Sequence, residues 1–63
     1  MKVMTHLAGA KELSGADITV SVHDDDVTLT GTVTSGYQKV GATTISRKTD
    51  GVRLVNNKLI IQP

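Results

Sequence analysis

The sequence predicts a small α+β domain with element order α-β-β-α-β, in which two helices pack on one face of a three-stranded mixed sheet. Three stretches carry that expectation. Val27 to Thr34 alternates without a break, with Val27, Leu29, Gly31 and Val33 on one side and Thr28, Thr30, Thr32 and Thr34 on the other. Strand side chains repeat every two residues, so this is a half-buried strand with one wet face. Ser35 and Gln38 follow at the spacing of a capping box, so a helix begins where the strand ends. Asp17 to His23 alternates in the same way, and Asp24-Asp25-Asp26 links the two strands as a hairpin.

The chain starts with an amphipathic pattern over Lys2 to Ala10. Val3, Leu7 and Ala10 make its apolar stripe, Met4 and Ala8 lie beside it, and His6 lies off it as a solvated side chain. Lys11 to Ala16 reads as a linker in which Leu13 plugs the core and Ser14-Gly15 turns. In the first strand Ile18, Val20 and Val22 face inward and Thr19, Ser21 and His23 outward. Mutual repulsion places the three adjacent Asp residues fully in water.

The second helix is expected over Gly36 to Thr49. Two stripes compete for its buried face, Tyr37/Gly41/Ile45/Lys48 and Gln38/Ala42/Ile45/Thr49. Gly41 and Ala42 would bring its backbone close to the sheet where Gly31 leaves a flat spot. Arg47 and Lys48 suit the negative end of the helix dipole, and Gly51 is placed to end the helix with positive φ. The last strand is expected over Val52 to Ile61, with a kink between Val52 and Val55 and with Val55, Asn57, Leu59 and Ile61 sharing one side. It runs in the same direction as the second strand, and the pattern leaves open which strand it lies beside.

Sixty-three residues form one domain, of a size that buries only about 60% of its unfolded surface. Phe, Trp and Cys are absent and Tyr37 is the sole aromatic residue. The core must therefore come from Val, Leu and Ile, without disulfides or thiolate metal sites. Such a domain is expected to be marginal alone, which points to a piece of a longer protein or an oligomer. A net charge of +1 and a pI near 8.1 lack the basic excess typical of nucleic-acid binders. No apolar run is long enough for a membrane-spanning helix, and Met1 to Met4 lacks the core of a signal peptide.

With these elements in place, the chain resembles a BON domain, the module of bacterial osmotic-stress and nodulation proteins. The likeness covers Ala16 to Ile61. It rests on Val27-Thr28-Leu29-Thr30-Gly31-Thr32-Val33, on Ala42 and Ile45, on Gly51-Val52, and on Val55-Asn56-Asn57-Lys58-Leu59. Asp25 and Asp26 depart from the usual Gly and apolar residues of the first hairpin, and the leading helix is short. The resemblance implies a non-catalytic module of the bacterial envelope, often periplasmic, that attaches to phospholipid surfaces or to partner proteins. Gly31, Gly51 and Asn57 match the family signature and are given structural roles: close packing, positive φ, and a hydrogen bond to nearby backbone.

Four functional classes follow. The first is attachment to an anionic phospholipid surface or an envelope partner through Lys39, Arg47 and Lys48 with exposed Tyr37 and Val40; the plain alternative is a solvated helix face. The second is a protein-interaction or oligomerisation module using the hydroxyl-rich face of Thr19, Ser21, His23, Thr28, Thr30, Thr32 and Thr34, extended by Lys58, Ile60 and Gln62. Thr also favours wet strands for its own sake. Nucleic-acid binding would need a GxxG loop or stacking aromatics, which the chain lacks, so no such partner is expected. A metal or hydrolytic site at His23-Asp24-Asp25-Asp26 lacks the ligand spacing of a calcium loop and an oriented base, so the expectation is no enzyme, metal or cofactor.

Overall fold

The computed structural model describes residues 2–62 and follows the expected order. Helix α1 spans Val3–Ala8, a short 3-10 turn spans Lys11–Leu13, and strands β1 and β2 span Asp17–His23 and Asp26–Val33. Helix α2 spans Gly36–Arg47, and the last expected strand appears as two collinear pieces, β3 (Leu54–Asn57) and β4 (Ile60–Ile61). β2 is the centre of the sheet. β1 pairs with it antiparallel from Asp17↔Thr32 to His23↔Asp26, while β3 and β4 pair with it in parallel on the other side. The open question of strand order is thus answered: the last strand lies beside the second.

The core is aliphatic, as the composition requires. Val27, Leu29 and Val33 of β2 are fully buried beneath Val3 and Leu7 of α1, Leu13 of the 3-10 turn, Ala42 of α2 and Leu59. Burial of each large aliphatic side chain contributes about 1.5–3 kcal/mol. Both helices therefore cover one face of the sheet, and the other face carries β2's threonines. Of the two stripes proposed for α2 the second is correct. Gln38, Ala42 and Ser46 are buried and Thr49 lies buried just beyond the helix, whereas Tyr37 is 73% exposed.

Gln38 is buried because every polar atom of its side chain finds a partner. Its backbone N–H donates to Ser35 Oγ at 3.3 Å, the helix cap that the sequence predicts. Its Oε1 accepts from Thr34 N–H at 2.8 Å, one residue earlier than an ideal capping box, and its Nε2 donates to the Ser14 carbonyl at 2.9 Å. One amide thus joins the end of β2, the start of α2 and the turn before β1.

Several expectations need correction. Val22 points to the core side but is 47% exposed, because it sits at the hairpin end beyond the helices' cover. The three Asp residues are not all in water: Asp26 enters β2 and takes a two-pronged contact from Arg53 Nη2 at 2.9 and 3.1 Å. Asp24 alone adopts positive φ, 54°, in the two-residue link. Helix α2 stops at Arg47, ahead of Thr49. Gly51 has the expected positive φ, 92°, but it serves a turn closed by Val52 N–H to the Thr49 carbonyl rather than the helix end itself.

The role assigned to Gly31 also changes. Its φ is +117°, and a Cβ there would overlap the carbonyl oxygen of Asp17 on the adjacent strand. The glycine lets β1 approach β2, not the helix approach the sheet. Gly41 faces Glu12 of the 3-10 turn, whose Cγ would stand 3.9 Å from an added Cβ. The kink expected between Val52 and Val55 lies instead at Lys58–Leu59. There Asn57 Oδ1 accepts the Leu59 N–H at 3.1 Å and turns the backbone locally. The register keeps the same offset on both sides, Leu29↔Asn57 and Thr32↔Ile60, so the ladder is interrupted without an inserted residue.

Candidate docking surface

Successive residues of a helix turn by about 100° around its axis, which sorts the residues of α2 that lie outside its buried stripe. Lys39 and Thr43 lie on the flank above β3, Val40, Thr44 and Arg47 on the outer ridge, and Tyr37, Gly41 and Lys48 on the opposite flank toward the 3-10 turn. The structure therefore brings together three of the five residues proposed for attachment. Lys39, Val40 and Arg47 line one shallow groove of about 360 Å³ with Thr43, Thr44 and Asn57. Tyr37 and Lys48 are outside it. Val40 is 67% exposed, an apolar side chain between two cations.

Asn57 fixes this groove. It lies on the inward side of β3, as its position in the strand predicts, and its Nδ2 donates to the Lys39 carbonyl at 2.7 Å and to Thr43 Oγ1 at 2.5 Å. With the Leu59 N–H on its Oδ1, the side chain ties helix, strand and strand break together. The sequence marks Asn57 only as structural and leaves Thr43 and Thr44 unmarked. The placing of Thr43 midway in the i, i+4, i+8 series from Lys39 to Arg47, and of Thr44 four residues after Val40, is the signal that would have found them.

The electrostatics of the groove are one-sided. From Gly36 to Lys48 the chain has no Asp or Glu, whereas Lys39, Arg47 and Lys48 are cationic. A second hollow of about 330 Å³ lies between α1 and the turn after α2, lined by Lys2, His6, Thr49 and Asp50. His6 is not merely solvated: its Nδ1 lies 2.9 Å from Thr49 Oγ1, which itself donates to the Ile45 carbonyl at 3.2 Å. This chain of bonds fastens α1 to the end of α2.

The open sheet face carries the rows Asp17–Thr32–Ile60, Ser21–Thr28–Asn56 and His23–Asp26–Leu54, with Thr19 opposite Thr30. Its hydroxyl-rich character is as the sequence predicts, though Leu54 and Ile60, 48% and 60% exposed, make its β3–β4 side apolar. No helix among the described residues is long and apolar enough to cross a membrane.

A family model described as the BON domain matches residues 1–63, the whole chain, including the leading helix. None of the curated proteins matches. Among solved structures, the C-terminal domain of CdsD, the structural protein of the type III secretion system of Chlamydia trachomatis, matches with a TM-score of 0.71 and 28% identity. The match covers 98% of this chain and 33% of that one, so the chain spans about a third of the length of that protein's solved chain.

Proposed function

The chain belongs to the BON domain family, and from that premise we propose that it is a non-catalytic docking module of a bacterial envelope assembly. It holds a protein partner on the outer side of α2 and the adjoining edge of β3. The observation that carries this reading is the groove itself: an exposed Val40 between Lys39 and Arg47, no carboxylate on the helix to neutralise them, and Asn57 as a fixed floor. Exposed apolar surface rimmed by charge is a common form of protein-interaction site. The likeness to a structural protein of a secretion system supports a protein partner, and the family supports an envelope setting.

A second reading is attachment to anionic phospholipid through the same helix. Each cation near an anionic surface gains about 1 kcal/mol, and salt screens that gain. Lys39 and Lys48 lie on opposite flanks of α2, so a flat surface meets at most two of the three cations together, and a concave or extended protein partner fits better.

The test is reversal of charge in the protein. Lys39→Glu with Arg47→Glu should abolish co-purification of its assembly partner, while Ser21→Lys with Thr30→Lys on the open sheet face should leave it intact. Loss with the second pair and retention with the first would overturn the assignment.

A further inference from the structure

We propose that the free edge of β3 accepts an extended segment of the partner as an added strand, and that this segment carries carboxylates four residues apart to meet Lys39 and Arg47. This rests on the docking reading above and gives the partner its chemistry. The sheet order leaves β3 at an edge. Lys58 and Gln62 turn their N–H groups to the carbonyls of Leu29 and Val33 on β2, at 2.8 and 2.7 Å. Backbone groups alternate in direction along a strand, so Val55 and Asn57 turn theirs away from β2, toward the side that no strand among the described residues occupies. The next outward N–H, that of Leu59, is already taken by Asn57 Oδ1. The free edge is thus one short template that ends at Asn57, and the groove of α2 lies directly beside it. A segment pairing with the strand would lay its alternate side chains into that groove, the strand-addition mode of peptide recognition.

The spacing of charge follows from the two geometries. Lys39 and Arg47 are eight residues apart on a helix, about 12 Å at a rise of about 1.5 Å per residue. A strand covers that distance in four residues at about 3.3 Å each. Four is even, so both carboxylates fall on one side of the segment, with the residue midway between them on the same side, toward Thr43. The chain's own carboxylates, at positions 12, 17, 24, 25, 26 and 50, include no pair four apart. Its own β1 edge therefore does not have the matching pattern, and the occupant is a different protein rather than a second copy.

The test titrates the isotopically labelled 63-residue chain with two capped peptides of one composition. One has the order Thr-Asp-Thr-Ile-Thr-Asp-Thr and its isomer has the two Asp adjacent. The spaced peptide should shift amide signals over residues 39–47 and 54–58, slow hydrogen exchange at Val55 and Asn57, and bind up to about fivefold more tightly than the isomer. Lys39→Gln and Arg47→Gln should each weaken it by up to about fivefold, and N-methylation of its backbone should abolish the slowed exchange. Equal binding of both isomers, or binding without slowed exchange at Val55 and Asn57, would overturn strand addition. If phosphatidylglycerol vesicles shift residues 39–47 while neither peptide does, strand addition fails and the attachment surface on α2 survives. Shifts confined to Thr19, Thr28 and Thr30 would overturn both.

Discussion

Replacing Gly31 by Ala tests why this residue stands in the central strand. At φ +117° an alanine is strained, and its Cβ would overlap the Asp17 carbonyl oxygen and stand 3.0 Å from the carbonyl carbon and 3.4 Å from the Ile18 Cα. Backbone strain of this kind costs about 1–3 kcal/mol. Overpacking against a backbone held by the β1–β2 ladder adds about 1–3 kcal/mol more. A 63-residue domain has roughly 3–9 kcal/mol of stability in all, so the substitution removes a large part of it. Gly15→Ala is the control: φ there is +85° and nothing lies within 4 Å of an added Cβ, so only strain of about 1–2 kcal/mol applies. Urea denaturation followed by far-ultraviolet circular dichroism measures both. With a slope near 1 kcal/mol per molar, the Gly31 midpoint should fall by about 2 M or more, and further than that of Gly15→Ala. Equal losses for the two variants would refute the argument from the Asp17 carbonyl.

Ser46 Oγ is buried without a hydrogen-bond partner among the described residues, so Ser46→Ala should stabilise the domain by about 1 kcal/mol in the same denaturation assay. Asn57→Ala removes the donor shared by Lys39 and Thr43 and orphans the Leu59 N–H; the expected loss is about 2–3 kcal/mol, with faster amide exchange at Leu59. Flotation with anionic vesicles should show weak association at low salt that disappears at physiological salt, since two cations at about 1 kcal/mol each give little anchoring.

Apolar pattern does not fix which neighbour the last strand takes, but the first two strands were legible because alternation over 17–23 and 27–33 has only one reading once one face is buried. The break at Lys58–Leu59 was not. It comes from a side-chain bond of Asn57 that depends on where α2 lies, and apolar spacing does not register it. Tyr37 and Gln38 show a related limit. By polarity Tyr37 should be inside, but Gln38 is buried because Thr34, Ser35 and Ser14 satisfy its side chain and N–H. Gly31 was correctly marked as a required glycine and wrongly explained, since a small residue in a strand has the same sequence signature whichever neighbour demands it. Lys39, Val40 and Arg47 were legible as a surface group. Tyr37 and Lys48 were grouped with them because no orientation of the helix had yet been fixed.

Amide hydrogen exchange in the protein, compared free and with its proposed partner bound, bears most directly on the docking claim. Val55 and Asn57 on the β3 edge should gain protection on assembly, together with residues 39–47, while Ile18, Val20 and Val22 on the β1 edge stay as they were. Protection gained along β1 with none at Val55 and Asn57 would contradict the assignment and move the working surface to the other side of the sheet.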